Sequence, residues 1–394
     1  MSFFQKVPLS PPDPIFGINA AFHADPRERK VNLTIGIYQD QRGKTNTLEC
    51  IKKVEEKFPL CEANKGYFGM GGDGEYCLET GKLVFGPLWD PQRIFVAATV
   101  GGTGALRIGF EFLSGFTSRQ GYVSTPTWVN HIPIMEKVGF TVHPYPYFKE
   151  NGVDFSSMLA TLEKGVEGSV VLLHTSCHNP TGCDLTKEQW KELSLLMKSK
   201  KLIPFFDFAY QGFYLSNDED AFPVRQFYQD GHEMLVATSY SKSMGLYGER
   251  VGSLMIVSEK LQEVSTTVCA QIRVNYSNPP RHGELLAKMV LQNQELRGMW
   301  LLELEGMRQR ILSMRHLLHT KLSQEVQERN WDFLLKQNGM FSLSGLSTEE
   351  VAKIVHEQGI YMTKAGRINL CGLNEENVDV VAEAFKKVCT NHSV

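Results

Sequence analysis

The chain has little that would mark it for a membrane, a nucleic acid or a metal ion. No apolar stretch approaches the roughly 20 residues that a membrane-spanning helix needs. Residues 1–12 carry no basic start, no apolar core and no Arg-rich amphipathic pattern, so neither a secretory signal nor a transit peptide is expected. The formal net charge is only −3 over 394 residues, which argues against nucleic acid as a main partner. Small anionic ligands stay open, because a few arginines can dominate one pocket. The eight cysteines (Cys50, Cys61, Cys77, Cys177, Cys183, Cys269, Cys371 and Cys389) are scattered without a C-x-x-C pair. They read as reduced thiols of a cytoplasmic protein, not as disulfides or a zinc site. His131, His174 and His178 lack the H-E-x-x-H spacing of a helical metal site, and no metal is expected. There is no internal repeat and no low-complexity tract.

What is present is length and alternation. A chain of 394 residues can bury more than one core, which favours two domains. From residue 93 onward, short β-favouring runs alternate with helical stretches. The runs are 94–98, 122–125, 141–146, 169–174, 202–206, 234–238 and 253–257. Several are apolar throughout, as strands covered on both faces are. The alternation predicts an α/β domain, a mainly parallel seven-stranded sheet flanked by helices. A long helical pattern without proline, 295–328, suits a link between domains. Beyond it, short strands and helices at 347–357 and 375–388 read as a small α+β domain. Residues 1–12 read as an extended arm. Asp13 and Pro14 then open a helix through His23, with Asp as cap and Pro in its first turn. The expected division is an arm at 1–12, a small domain at 13–45 and 310–394, and a large domain at 46–309.

Chemistry gathers where the β-runs end, which is where α/β domains build their sites. The run 234–238 delivers Lys242 into a hydroxyl-rich turn that also holds Ser239 and, downstream, Arg250. An amine there can bond an aldehyde cofactor while the hydroxyls and the arginine hold a phosphate; alone, the turn reads equally as a solvated lysine. Gly101-Gly102-Thr103-Gly104 follows the run 94–98 and offers backbone N–H groups to a phosphate, or is a plain glycine turn. It lacks the Lys-Ser/Thr of a Walker loop, and no dinucleotide fingerprint follows a strand elsewhere. Trp128 closes another run and can stack on an aromatic ring or join the core. Asn179 precedes Pro180, which favours an extended conformation or a turn. Asp207 ends the apolar run 202–206, where a carboxylate needs a partner such as a pyridinium nitrogen, or serves as a helix cap. Tyr210 lies three residues on, toward the same side.

Taken in order, Gly-Gly-Thr-Gly-Ala-Leu (101–106), Pro-Thr-Trp-Val-Asn-His (126–131), Cys-His-Asn-Pro-Thr-Gly (177–182), Asp-Phe-Ala-Tyr-Gln-Gly-Phe (207–213), Ser-Tyr-Ser-Lys (239–242) and Leu-Tyr-Gly-Glu-Arg-Val-Gly (246–252) resemble the class I pyridoxal-phosphate aminotransferases. Arg273 to Pro280, the run from Gly339 to Ser342 and Gly366-Arg367-Ile368-Asn369 are similar to the aspartate/aromatic branch of that family. The resemblance implies the type I fold of pyridoxal-phosphate-dependent transferases. It implies pyridoxal 5′-phosphate held as a Schiff base on Lys242, which then moves a proton, with Asp207 on the ring nitrogen. Tyr210 and Asn179 would bond the ring hydroxyl, and Trp128 would stack on the ring, with His131 and also His174 supporting Asp207 from behind. Gly102, Thr103, Ser239 and Arg250 would bind the phosphate, and Tyr67 would reach the phosphate of a neighbouring subunit, which implies a homodimer with shared sites. Arg367 would clamp the substrate α-carboxylate, Gly36 would contact the substrate, and Arg273 would come from the partner to the distal carboxylate of amino and keto dicarboxylic acids. The expected reaction is amino transfer between aspartate and 2-oxoglutarate. Gly66 before Tyr67 and Gln39 after Tyr38 depart from the common pattern, and an aromatic or broad-range specificity is the alternative.

Overall fold

The computed structural model describes residues 3–9, 14–61 and 65–389. Its centre is one seven-stranded sheet: β1 (Ile94–Val100), β2 (Gln120–Thr125), β3 (Thr141–Pro146), β4 (Val170–His174), β5 (Ile203–Phe208), β6 (Met234–Ser239) and β7 (Val251–Val257). The order across the sheet is β1-β7-β6-β5-β4-β2-β3. β7 runs antiparallel to both of its neighbours, whereas the pairs from β6 to β3 are parallel.

The apolar runs become strands because both faces are covered. β4, β6 and β7 are buried at every position. Successive side chains point to opposite faces, so Leu172, Phe205, Leu235 and Leu254 pack in one core with Leu106 and Phe110, while Leu173, Phe206, Val236 and Met255 pack in the other with Trp190 and Phe227. A third core surrounds the long helix Gln294–Glu325, whose Trp300, Leu304, Met307, Ile311, Met314, Leu318 and Leu322 recur every three or four residues along one stripe. That stripe also meets Phe385, Phe341 and Ile368. Beyond the sheet, Val31–Asn32 pairs parallel with Ile360–Tyr361, and Phe341–Leu343 pairs antiparallel with Arg367–Asn369.

Some boundaries differ from the sequence expectation. β5 continues through Phe208, so Asp207 lies inside the strand, paired with His174 on one side and Ala237 on the other. The neighbouring strands supply hydrogen-bond partners for those extra residues, which a local pattern does not reveal. The helix expected at 347–357 is α-helical only over Thr348–Lys353, continues as a π-turn at Ile354–Gln358 and stops at Gly359 with φ 70°. The arm expected to be extended contains a 3₁₀ turn at Phe3–Lys6. The helix after it runs Pro14–Ala24, and its expected cap, Asp13, lies outside the described residues, as do 1–2 and 10–12 of the arm. Among the described residues no helix is long and apolar enough to cross a membrane, and no group of three or more His, Cys, Asp and Glu side chains could hold a metal ion.

Two polar contacts pin the outer core to the sheet's working edge. The buried Trp300 Nε1 donates to Ser243 O at 2.6 Å, fastening the long helix to the Lys242 turn. The buried Arg315 donates to the carbonyls of Leu334, Gly339 and Phe341 at 3.1, 2.8 and 3.1 Å. Through these three bonds from its two terminal nitrogens, the guanidinium fixes the segment that presents Phe341.

Candidate active site

The C-terminal ends of the parallel strands open onto one cavity of about 130 Å³. β7 is antiparallel, so its first residue faces the same edge. This is why Arg250, just before β7, meets the start of the helix Gly101–Ser114 that follows β1. Gly101 N donates to Arg250 O at 2.8 Å. The helix has no side-chain N-cap, so the N–H groups that follow Gly101 in its first turn stay available to a ligand anion. The backbone there is closely fitted. Gly101 has φ +65°, and a Cβ on it would stand 2.5 Å from the Arg250 guanidinium. Arg250 donates to Tyr247 O at 3.1 Å and to Ser241 Oγ at 3.5 Å.

Gly102, Thr103, Ser239, Lys242 and Arg250 line this cavity together with Trp128, Asn179, Asp207 and Tyr210. The Lys242 amine lies 5.0 Å over the Tyr210 ring. Burial lowers its pKa below the ordinary lysine range; the Asp207 charge opposes this and the Arg250 charge adds to it. Burial raises the Tyr210 hydroxyl, and the Asp207 charge raises it further.

Asp207 closes a chain of hydrogen bonds. His131 Nε2 is 3.0 Å from Asp207 Oδ2, Thr127 Oγ1 is 2.8 Å from His131 Nδ1 and 3.3 Å from His174 Nε2, and Asn179 N donates to His174 Nδ1 at 3.3 Å. The donors fix the tautomers. His174 accepts at Nδ1, so its Nε2–H donates to Thr127, whose hydroxyl donates to His131 Nδ1, whose Nε2–H donates to Asp207. Burial holds His174 down to about 3, with the His131 ring adding to the effect, so it stays neutral. Burial alone would raise the Asp207 carboxyl. The hydrogen bond from His131, with smaller help from the Lys242 charge, outweighs it and keeps Asp207 ionised.

Arg367 and Gly36 line the same cavity. Arg367 is buried, lies 4.3 Å over the Phe341 ring, and donates to Thr34 O at 2.6 Å and to Asn179 Oδ1 at 3.4 Å. Its Nε is buried without a hydrogen-bond partner, and among the described residues no carboxylate pairs with it. Burial lowers its pKa, as expected for a cation taken out of water without a counter-ion. Asn369 donates to the carbonyls of Ile35 and Ile37 and so frames Gly36, while Tyr38 N donates to Tyr247 Oη at 2.8 Å.

All the residues expected at the site come together here except two. Tyr67 is 90% exposed, and Arg273 is exposed at the end of the helix Leu261–Asn275 with its guanidinium on Ser277 Oγ. Neither lines the cavity. The sequence reading missed Ser241, Ile15 and Phe341 as lining residues and Thr127 as the link between the histidines. Thr127 sits in the same strand-end run as Trp128, and a hydroxyl there was the available signal.

The sequence matches the family described as "Aminotransferase class I and II" over residues 28–385. It is 42% identical over 394 residues to the aspartate aminotransferase of Escherichia coli strain K12, covering 98% of this chain and 100% of that one. It is also 42% identical, over 395 residues, to the aromatic-amino-acid aminotransferase of the same organism, with the same coverage. Among solved structures, it superimposes on an aromatic-amino-acid aminotransferase from Burkholderia pseudomallei covalently bound to pyridoxal phosphate with a TM-score of 0.96 at 41% identity, over 99% of this chain and 100% of that one. The cytoplasmic aspartate aminotransferase of Saccharomyces cerevisiae also gives a TM-score of 0.96, at 34% identity over 99% of both chains.

Proposed function

Because this chain belongs to the class I and II aminotransferase family, we propose that it is an aspartate aminotransferase that uses pyridoxal 5′-phosphate to transfer the amino group of L-aspartate reversibly to 2-oxoglutarate, giving oxaloacetate and L-glutamate. The observation that carries this reading is Arg367: a buried guanidinium with an unpartnered Nε and no carboxylate beside it, lining one cavity with Lys242. A carboxylate is the natural complement of such a fork.

The residues present fit the cofactor. The uncapped helix start at Gly101 and the nearby Arg250 suit a phosphate, Asp207 held ionised suits a protonated ring nitrogen, and Lys242 with its lowered pKa suits an aldehyde. When bound, pyridoxal phosphate supplies an aldehyde that takes up the amino group and a ring that draws electrons from the substrate α-carbon. Lys242 would hold the aldehyde and, as an amine of lowered pKa, would serve to move a proton at the substrate α-carbon. Asp207 would keep the ring nitrogen protonated, with His131 orienting Asp207. Tyr210 and Asn179 would bond the ring hydroxyl, Trp128 would stack on the ring, and Gly102, Thr103, Ser239 and Arg250 would hold the phosphate. Arg367 orients the α-carboxylate, with Gly36 beside the substrate.

The exposure of Tyr67 and Arg273, outside the cavity of their own chain, supports their service in the site of a partner subunit. We therefore read the protein as a cytoplasmic homodimer in which Tyr67 reaches the partner's cofactor phosphate and Arg273 the distal carboxylate. The division into an arm at 1–12, a small domain at 13–45 and 310–394, and a large domain at 46–309 belongs to the same reading, with the small domain closing over substrate to exclude water.

A second reading is favoured by an apolar cavity of about 550 Å³ that shares Ile15, Trp128, Asn179 and Arg367 with the site and adds Ile18, Pro126 and Val129. It would admit aromatic side chains. A panel of amino donors against 2-oxoglutarate decides. Aspartate is expected to give the highest kcat/KM; a clear preference for phenylalanine would replace the first reading by the second, and no transfer from any donor would sink both.

A further inference from the structure

The loop that carries Tyr67 is held at several points by residues more than 200 positions downstream. Tyr67 is 90% exposed, and both of its neighbours are gripped from elsewhere. Arg281, the first residue of the helix Arg281–Gln292, donates to Gly66 O and lays its guanidinium 4.3 Å from the centre of the Phe68 ring. Asn278 Nδ2 donates to Phe68 O at 3.0 Å. The far end of the loop is fastened to the same helix. The buried Glu284 accepts from Asp73 N at 2.8 Å, and Lys288 donates to Asp73 Oδ2 at 2.8 Å. Between them, Gly72 has φ +87°, and a Cβ there would meet Ala98 Cβ at 2.4 Å and Glu284 Oε2 at 2.7 Å, so the loop is wedged between β1 and this helix.

The same segment reaches back to Arg273. The Arg273 guanidinium donates to Ser277 Oγ, whose hydroxyl lies 3.3 Å from Asn278 Oδ1, and Asn278 in turn holds Phe68. Arg273 and Tyr67 are therefore two ends of one hydrogen-bonded unit running Arg273, Ser277, Asn278, Phe68, with Arg281 closing it on Gly66.

We propose that Arg281 is a positioning residue that locks the Tyr67 loop to the Arg273 segment, so that the two side chains given to the partner subunit's site are set as one piece. Arg281 does not line the cavity of its own chain. Its planar fork suits the task, because one face stacks on Phe68 while an N–H edge holds the Gly66 carbonyl. The consequence is that cofactor retention and distal-carboxylate selection are coupled. The proposal rests on the reading that Tyr67 and Arg273 act on the partner's site.

The test uses the pyridoxal-phosphate holoenzyme with Arg281→Ala, Tyr67→Phe and the double variant. Two quantities are measured: cofactor retained after dilution, and KM for aspartate and for phenylalanine. Arg281→Ala is expected to weaken cofactor binding roughly 3- to 30-fold, within the coupling usual for residues of one network. It is also expected to raise KM for aspartate more than for phenylalanine, a split that a general loss of stability does not produce. The double variant should bind cofactor no more weakly than Tyr67→Phe alone. If Tyr67→Phe weakens binding and Arg281→Ala does not, or if the two losses multiply in full, the coupling is wrong although the site reading stands. If Tyr67→Phe leaves retention unchanged, the role of Tyr67 itself fails, and the proposal with it. Asn278→Ala cuts the other grip on the loop and gives the same readout should Arg281→Ala not fold.

Discussion

His131 Nε2 stands 3.0 Å from Asp207 Oδ2, and it is the one side chain that hydrogen-bonds this buried carboxylate among the described residues. Removing His131 takes away the largest effect that opposes burial at Asp207, and its pKa rises toward the protonated form. An unsatisfied buried group of this kind costs about 1–3 kcal/mol. His131→Phe should therefore lower kcat by roughly 5- to 160-fold, and the loss should be smallest at high pH, where Asp207 ionises regardless. Asp207→Asn should cost more, since the charge itself is gone. A pH–rate profile of both variants checks this; an unchanged acid limb in His131→Phe would show that His131 does not set the state of Asp207.

Gly101→Ala should release the cofactor. Its φ of +65° costs a side chain about 1–2 kcal/mol, and the new Cβ would stand 2.5 Å from the Arg250 guanidinium. The arginine tip is the part able to move, so the expected result is a displaced Arg250 and a loss of about 1.5–3 kcal/mol of charge-assisted phosphate binding. That is roughly 10- to 160-fold in cofactor affinity, measured by titrating apoprotein with pyridoxal phosphate. Affinity equal to that of the parent would mean that Arg250 does not anchor the phosphate.

The two arginines should separate by substrate. Arg367→Lys keeps the charge but loses the fork held between Thr34 O and Asn179 Oδ1. It should reduce kcat/KM for every amino acid alike, by about 2–5 kcal/mol or roughly 30- to 5,000-fold. Arg273→Ala should harm aspartate and glutamate while sparing phenylalanine. Steady-state kinetics on both donors give the comparison, and equal losses for aspartate and phenylalanine in Arg273→Ala would remove it from the distal-carboxylate role.

Glu284 gives a pH dependence with a definite sign. Burial, and then the Asp73 charge, push its carboxyl up to about 7 from 4.5, against the Asp73 N–H bond and the Arg281 and Lys288 charges. Between those values the folded chain keeps a proton that the unfolded chain has lost, so stability falls as pH rises through this window and the penalty is complete above it. Glu284→Gln keeps an acceptor for Asp73 N without the charge. It should stabilise the protein at pH 8 by up to roughly 3 kcal/mol and make no difference below pH 4.5. Denaturation midpoints at the two pH values test it, and a variant less stable at pH 8 would show that the ionised carboxylate is well compensated.

The parts of the site that were legible in advance are those whose meaning is local. Lys242, Ser239, Asp207 and Gly102 each sit in a short run at a strand end, where chain direction alone brings them to one edge of the sheet. Strand existence was legible for the same reason, since an apolar run such as Val170–His174 has no other place than the interior. The extension of β5 past Asp207 was not, because it depends on partners in β4 and β6. Nor was the π-turn at Ile354–Gln358, since periodicity records which residues are apolar and not how the backbone bonds.

The amino-acid sequence by itself therefore determined the sheet, the set of reactive groups and the family of chemistry, because strand burial and strand-end motifs are properties of neighbours along the chain. Only the tertiary structure decided what those groups face. It set the Thr127 link that orients both histidines. It placed the Phe341 ring and the Thr34 carbonyl on a guanidinium 26 and 333 residues away. It fastened the Tyr67 loop to a helix more than 200 residues downstream. Those contacts join groups with no relation in sequence, and it is packing and the satisfaction of buried polar atoms that select them.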